Sequence, residues 1–383
     1  MRAEARGRVD AFNSQLSYDQ AKQAFEVGRF EIAMRQIDGA LARYPDAPEY
    51  HLLKGRICLE THRLEEAIDS FVTALEKDEN CAEAYYFAGI VLQRWSDDEA
   101  AYEHYSRAYE IEPANVQYLL AAAESLIALG EFEVARELVE EKLAYFEYNA
   151  ALRHLLGQIA MLQGDPVTAA ECFAQARLLN PDDLTLLEEL VWAQFAAGSF
   201  SQCYDSITYL KHLLDEPRAD LLRLEARCLA IMERNTEARD LYLKIIRNNG
   251  ADLEAWIELG TLAWELGDFR RVAQCSERII AIAPDRYEGY LLKGVYERET
   301  GNDQEALRLF REAASRSPHA ALPHLMLGRM LENTGDLEGA VTAYAHAARI
   351  ETNNTDAQVL MRRLNDRQRL TVVEDGETWE HDE

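Results

Sequence analysis

Basic residues are scarce in this chain of 383 residues. Lysine and arginine together number 40, against 68 aspartate and glutamate residues, so the formal net charge is −28. Nucleic acids and anionic membrane surfaces attract basic proteins, because both carry dense negative charge. We therefore expect neither nucleic acid nor membrane among the partners of this protein.

Long apolar runs are also missing. No stretch approaches the roughly 18 consecutive apolar residues that a membrane-spanning helix requires. Residues 1–13 have no apolar segment long enough for a secretory signal peptide, and Glu4 and Asp10 are atypical of a transit peptide. We expect a cytoplasmic location.

Motifs that carry chemistry are absent as well. The six cysteines are scattered and form no Cys-x-x-Cys pair, which favours buried thiols in a reducing compartment. The nine histidines show no triad or metal-ligand spacing, and His319 and His324, on either side of Pro323, are interpreted as an exposed loop pair. We predict no catalytic residue, no metal and no cofactor, and hence a protein that is not an enzyme.

Five of the nine prolines follow a regular interval. Pro45, Pro113 and Pro181 are 68 residues apart, Pro284 and Pro318 are 34 apart, and 103 residues separate Pro181 from Pro284. A period of 34 with one inserted residue explains all of these distances. Such a period indicates repeated units that bury a core only against their neighbours.

Ten units of 34 residues fit this period. Counting the first residue of each as position 1, the units begin at Ser14, Pro48, Ala82, Val116, Ala150, Leu184, Ala219, Leu253, Tyr287 and Ala321. Position 8 is small in nine units, position 24 is large in nine, and glycine is usual at position 15. Alanine at positions 20 and 27 completes an apolar stripe at helical spacing. Each unit is predicted to be a hairpin of two helices, with a glycine turn between them and a proline after the second.

The best units, WIELGTLAWELGDF from Trp256 and AGIVLQRWSDDEAAYEHYSRAYEIEP from Ala88, resemble the tetratricopeptide repeat. The resemblance covers about nine-tenths of the chain. It implies an all-α fold, a right-handed α-solenoid of about ten helical hairpins.

We predict four segments. An N-terminal extension occupies 1–13, the tetratricopeptide solenoid 14–354, a capping helix 355–370, and an acidic disordered tail 371–383. In the capping helix, Val359, Leu360 and Leu364 are expected to face the array. Bulkier residues in units six to eight either bend the solenoid between 184 and 280 or are absorbed by their neighbours.

The resemblance also implies a ligand-binding surface. In this family the first helices line a concave groove, with contacts at positions 2, 5, 9 and 12. Aromatic and arginine side chains there are of the types that concentrate binding energy at interfaces. The candidate groove residues are Tyr18, Lys22, Phe25, Arg56, Tyr86, His154, Gln158, Trp192, Phe195, Arg223, Arg227, Trp264, Arg298 and Arg329.

Some residues on this face could instead fill the space between first helices, an interpretation that we favour for Leu52, Leu120 and Leu291. The lysine and asparagine pattern of the chaperone-binding carboxylate clamp is absent, as is the asparagine ladder of the glycosyltransferase-associated arrays. The function predicted is a non-catalytic scaffold that binds a protein or peptide in the groove. The alternatives are a self-assembling structural scaffold, which would be a homo-oligomer, and an accessory subunit of an enzyme complex.

Overall fold

The computed structural model describes the backbone of residues 2–351, 358–361 and 363, and side chains from residue 11 onward. The described secondary structure is helical, without strands. The helices are α1 (Arg2–Glu26), α2 (Phe30–Leu41), α3 (Pro48–Glu60), α4 (Leu64–Lys77), α5 (Ala82–Arg94), α6 (Asp98–Ile111), α7 (Val116–Ala128), α8 (Phe132–Leu143), α9 (Ala150–Leu162), α10 (Pro166–Leu179), α11 (Leu184–Ala196), α12 (Phe200–Leu213), α13 (Ala219–Ile231), α14 (Asn235–Asn248), α15 (Leu253–Glu265), α16 (Phe269–Ile282), α17 (Tyr287–Glu299), α18 (Asp303–Arg316), α19 (Ala321–Asn333) and α20 (Leu337–Ile350).

The helices group into two compact units. The N-terminal unit, Met1–Ser199, holds α1 to α11, and the C-terminal unit, Phe200–Glu383, holds α12 to α20. Odd-numbered helices are the first helices of the repeats and even-numbered helices are the second. From α3 onward, each first helix begins at the residue where the period starts a unit. Residues 2–13, which precede the first repeat, form the N-terminal half of α1.

The two helices of a hairpin approach closely where a glycine faces an aromatic ring. The ring at position 24 of the second helix lies against the glycine at position 8 of the first, as in Gly55 with Phe71 and Gly89 with Tyr105. A Cβ atom on Gly89 would stand only 2.6 Å from the Tyr105 ring. Three further pairs repeat this contact: Gly157 with Phe173, Gly294 with Phe310, and Gly328 with Tyr344.

Where position 8 is alanine, the partner residue can be smaller. Ala21 stands in the same hairpin as Ile37 and Ala123 in the same hairpin as Val139, and all four side chains are fully buried. The volume added on one helix is thus removed from the other, as the dense packing of protein interiors requires.

One hairpin departs from this arrangement. Gly260 has no large residue opposite it, because position 24 is Ser276. Leu292, on the next first helix, enters the space instead: its Cδ1 atom would lie 2.6 Å from a Cβ placed on Gly260. The core of this hairpin is therefore completed by its neighbour.

The turn between the two helices requires a left-handed residue at position 15. Seven of these residues are glycines, with φ between 70° and 85°. The other three are His62, Ser96 and Glu233, with φ of 58° to 61°. Because an L-residue pays a steric penalty in this conformation, these three turns carry strain that the glycine turns do not.

The helical residues after α20 correct one prediction. Leu360 and Met361 pack against the α19 and α20 core, but Val359 is 60% exposed and does not face the array. The guanidinium of Arg363 pairs with Glu332 on α19, and this pair fixes which side of the helix is turned inward. Leu364, the rest of the predicted capping helix and the predicted acidic tail lie outside the described residues.

The glycine–ring contact yields a testable exchange. Gly55→Ala should destabilise the N-terminal unit by about 1–3 kcal/mol, because the added methyl overlaps the Phe71 ring. The double variant Gly55→Ala/Phe71→Ile recreates the Ala21 and Ile37 pair, and should be more stable than the sum of the single changes by about 1–2 kcal/mol. Urea unfolding fitted with a repeat model would measure this coupling. Strict additivity would contradict the described packing.

The strained turns yield a second prediction. Glu233→Gly should stabilise the C-terminal unit by about 1 kcal/mol, because glycine adopts the required φ without a steric penalty. Glu277→Gly is the matched control: Glu277 is exposed in the middle of α16, where the same substitution should cost about 1 kcal/mol. Thermal or urea unfolding of both variants checks the opposite signs, and a loss of stability in both would refute the strain.

Candidate functional site

The candidate site is a face built from consecutive first helices. Within the N-terminal unit α1 contacts α3, α3 contacts α5 and α7 contacts α9, and within the C-terminal unit α15 contacts α17. Positions 5, 9 and 12 are four and three residues apart, so their side chains lie on one side of each helix. We call this surface the first-helix face.

Position 5 lies at the inner border of this face. Leu120 and Leu291 are buried, and Leu52 is half-buried against the core formed around Phe71. These leucines fill the space between helices and offer little surface to a ligand.

Arginine and aromatic rings form a ladder across the first three first helices. The Arg56 guanidinium lies 5.1 Å from the centre of the Phe25 ring and 5.0 Å from that of Phe87, within cation–π range of both. Phe87 in turn stacks on Phe71. Phe87 was not among the predicted site residues; the signal that could have revealed it is its separation of 31 residues from Arg56, the same separation that relates Arg56 to Phe25.

Tyrosine rings extend this surface. Tyr18 stacks on Tyr50, with ring centroids 4.8 Å apart. Tyr86 contacts the rings of Phe87, Tyr105 and Tyr118, and burial raises the pKa of its hydroxyl. Lys22, one turn beyond Tyr18 on α1, is exposed.

A polar cluster and an exposed indole follow on α9 and α11. The His154 ring hydrogen-bonds to the Glu189 carboxylate, and the Gln158 amide donates to the same carboxylate over 3.3 Å. Further along α11, Trp192 is 40% exposed and Phe195 is half-buried.

The predicted arginines of the C-terminal unit are held in ion pairs. Arg223 Nη1 lies 3.1 Å from both carboxylate oxygens of Asp252, and Arg227 Nε donates to Glu258 Oε1 over 2.9 Å. Arg298 Nε donates to the neighbouring Glu299 over 3.0 Å. These guanidinium groups are engaged within the chain rather than left free for a ligand.

The other two candidates of this unit differ in exposure. Trp264 is half-buried and packs against two core clusters, one around Phe310 and one around Val272. Arg329 is exposed on α19. Trp264 therefore contributes mainly to packing between hairpins.

Burial raises the pKa of the Glu258 carboxyl group, and the hydrogen bond from Arg227 partly offsets this effect. The Glu258 side chain is 12% exposed and that of Arg227 is 44% exposed. Arg227 is the main group that favours the charged carboxylate, and Arg223 and a hydrogen bond with Tyr242 also lower the pKa of Glu258.

The structure corrects the interpretation of one histidine. His324 is not in an exposed loop but in α19, where its ring stacks on His346 with centroids 5.4 Å apart. Burial lowers the pKa of His324, and the neighbouring His346 lowers it further. In the described part of the chain, no group of three or more His, Cys, Asp and Glu side chains is arranged to hold a metal ion.

All six cysteines, each within the described residues, are free thiols, and four of them are buried. Among the residues that the structure describes, no helix combines the length and apolar content needed to span a bilayer.

Within each unit, successive helical hairpins share a face along their first helices. This arrangement defines an all-α repeat protein built from helical hairpins. The family model described as tetratricopeptide repeat matches residues 18–78, 61–116, 120–177, 257–321 and 291–355, together more than half of the chain. The chain belongs to the tetratricopeptide repeat family. Membership implies a role as a scaffold for protein–protein interaction, and proteins of this family are typically non-catalytic adaptors.

Individual relatives are distant. Hsp70-Hsp90 organizing protein 1 of Glycine max is 26% identical over 245 residues, which are 61% of this chain and 41% of that protein. The BBSome complex member bbs-4 of Caenorhabditis elegans is 23% identical over 240 residues, 59% of this chain and 51% of that protein. The chain spans about half or less of the length of these curated relatives. A solved tetratricopeptide repeat protein from Parabacteroides merdae is 17% identical with a TM-score of 0.46, covering 61% of this chain and 92% of that one.

The pairing of Arg227 with Glu258 generates a pH-dependent prediction. Arg227→Met should destabilise the C-terminal unit by about 1–3 kcal/mol at pH 7, because it removes the guanidinium that pairs with this mostly buried carboxylate. The carboxyl group can then avoid the penalty by holding its proton. Since its pKa is raised in the folded state, the deficit should be small near pH 4 and grow as the pH rises through the folded-state pKa.

Urea unfolding at pH 4, 5.5 and 7 would measure this dependence. Arg239→Met is the control, because Arg239 pairs with the adjacent, exposed Asp240, and its loss should change stability by less than about 0.5 kcal/mol at every pH. A deficit of Arg227→Met that does not vary with pH would show that Glu258 does not depend on this arginine.

Proposed function

We propose that the chain is a non-catalytic scaffold whose first-helix face binds an extended peptide or a helical segment of a partner protein. The observation that carries this proposal is the ladder of Phe25, Arg56 and Phe87 across three consecutive first helices. Its three side chains are half-buried, so each packs on the core with one part and leaves another part open to a ligand.

The Phe25, Arg56 and Phe87 side chains are preorganised for binding. Because Arg56 is held between two rings, little side-chain freedom is left to lose when a partner covers it. Trp192, partly exposed on α11, supplies an indole of the kind that often dominates interface energy. Both features favour the N-terminal unit as the main binding surface.

The arginines of the C-terminal unit have a different role in this proposal. Arg223 and Arg227 are engaged by Asp252 and Glu258, so they stabilise neighbouring first helices. The proposed binding surface is thus narrower than the sequence alone predicted, and it centres on Tyr18, Phe25, Arg56, Tyr86 and Trp192.

The names of two relatives agree with such a role. One is an organizing protein for Hsp70 and Hsp90 and another is a member of a complex. We also propose a cytoplasmic location and the segments defined from the sequence, namely the solenoid at 14–354, the capping helix at 355–370 and the acidic tail at 371–383.

Site-specific photocrosslinking tests this function. The photoreactive amino acid p-benzoylphenylalanine in place of Trp192 should give discrete adducts with a partner protein in lysate of the source organism. The same group in place of Val72, which is 45% exposed on the second helix α4, should not. Mass spectrometry identifies the adducts. Adducts formed only with a second copy of this chain would instead establish self-assembly.

A stability control separates binding from folding. Trp192→Ala should weaken the identified partner about 30-fold, as expected for a hot-spot residue, and leave the free energy of unfolding nearly unchanged. Phe71→Ala, which empties a core site, should cost about 3–5 kcal/mol. Equal destabilisation by the two changes would remove Trp192 from the binding surface.

A further inference from the structure

Acidic residues recur at position 2 of the first helices in both units. Glu49 and Glu83 occupy this position on α3 and α5, and Glu254 and Glu288 occupy it on α15 and α17. The two pairs are equivalent within the repeat, and in each pair the two glutamates come from consecutive first helices. Their surroundings can therefore be compared directly.

In the C-terminal unit, an arginine bridges the pair. Arg286, the residue just before α17, donates to Glu254 over 3.2 Å and to Glu288 over 2.7 Å. A second donor, Arg286 Nε, reaches the other oxygen of Glu288 at 3.0 Å. One guanidinium thus neutralises two carboxylates on neighbouring helices.

In the N-terminal unit the equivalent arginine is missing. Cys81 stands just before α5, at the position of Arg286, and cannot supply a positive charge. Glu49 and Glu83 are both exposed, and within the described residues neither makes a hydrogen bond or an ion pair. Two glutamates occupy the equivalent positions, but no arginine or lysine side chain among the described residues bridges them.

An aromatic surface lies beside these two carboxylates. Burial raises the pKa of the Tyr18 hydroxyl, and Glu49, Asp19 and Glu83 raise it further by their negative charge, whereas Arg56 lowers it. Glu49 immediately precedes Tyr50, whose ring stacks on Tyr18 with centroids 4.8 Å apart, and Glu83 holds the equivalent place on the next first helix. Three carboxylates against one guanidinium leave this corner of the first-helix face acidic.

We propose that Glu49, Glu83 and Tyr18 form a recognition site for an arginine side chain of the partner protein. The partner's guanidinium would bridge the two glutamates as Arg286 does in the C-terminal unit, with its flat side against the Tyr18 ring. This inference rests on the proposed function, because the site lies on the same face, and it adds the chemistry of the bound segment.

Arginine fits this site better than lysine does. Its planar fork places several donors in fixed directions, so one group reaches two carboxylates and can also stack on an aromatic ring. A lysine ammonium is a point charge that holds its hydration more strongly. The net charge of −28 would in addition draw a basic segment toward the protein.

The test uses small capped amino acids and the full chain. With ¹³C-labelled tyrosine rings, and the Tyr18 signal assigned through Tyr18→Phe, N-acetyl-arginine amide should shift the Tyr18 signal in a saturable way. N-acetyl-citrulline amide, which has the same shape without the charge, and N-acetyl-lysine amide should each bind at least about tenfold more weakly. An equal response to lysine or to citrulline would overturn the proposal.

Two variants locate the response. Glu49→Gln/Glu83→Gln should abolish the arginine-induced shift, whereas Glu65→Gln/Glu103→Gln, which changes two exposed and unpaired glutamates on second helices, should leave it unchanged. An unaltered shift in the first double variant would refute the site.

A third variant gives the glutamate pair of the N-terminal unit the arginine that the C-terminal pair has. Cys81→Arg introduces an arginine at the position of Arg286, so it should occupy the two glutamates from within and prevent the arginine-induced shift. If the shift persisted with undiminished affinity in Cys81→Arg, the analogy to the C-terminal unit would be wrong.

The inference and the proposed function can fail separately. Partner adducts at residue 192 without any arginine-specific shift at Tyr18 would remove the arginine site and leave the scaffold function intact. Loss of both would remove the first-helix face as a binding surface altogether.

Discussion

The contact between a glycine on one helix and an aromatic ring on the next sets the geometry of five of the ten hairpins described in this protein. Because Gly55, Gly89, Gly157, Gly294 and Gly328 lack a side chain, the second helix can approach until its ring covers the backbone of the first. That approach sets the distance between helices, which in turn decides which side chains of consecutive first helices can meet. The first-helix face therefore depends on the packing at position 8 of the same helices.

The two units connect their first helices with different chemistry. In the C-terminal unit ion pairs do so, from Arg223 to Asp252, from Arg227 to Glu258 and from Arg286 to Glu254. In the N-terminal unit, Arg56 lies between the rings of Phe25 and Phe87 and so joins α1, α3 and α5, while a polar contact from His154 to Glu189 joins α9 and α11. In an ion pair each charge is already neutralised by its partner, whereas a half-buried ring leaves apolar surface that a ligand can cover. This contrast explains why the proposed binding surface lies in the N-terminal unit.

The sequence predicted the hairpins well, because their determinants lie within one unit. Small residues at position 8, large residues at position 24 and glycine at position 15 all act inside a single hairpin, and each is found as expected. The partners of Arg223 and Arg227 could not be read in the same way. They depend on the offset between helices of successive units, about 30 residues apart, which is fixed by packing rather than by periodicity within one helix.

His324 shows another limit of sequence reasoning. Pro323 suggested a loop, but it is the third residue of α19, and proline is tolerated in the first turn of a helix, where no backbone donor is needed. Val359 shows a third limit, because a short amphipathic helix can bury more than one of its sides. Here Leu360, Met361 and the ion pair of Arg363 with Glu332 determine which side faces the repeats.

The contact of Leu292 with Gly260 makes the stability of one hairpin in the C-terminal unit depend on the hairpin that follows it. In the five hairpins with a glycine–ring contact, the ring and the glycine come from the same hairpin, so this part of the core is complete once the two helices have met. The hairpin of α15 and α16 reaches that state only when Leu292 arrives from α17. Fraying that releases α17 would therefore open the preceding hairpin as well, whereas a hairpin with its own ring could stand as the new end of the array. When the C-terminal unit unfolds from its C-terminal side, the hairpin of α17 and α18 and the hairpin of α15 and α16 should therefore unfold together rather than one after the other.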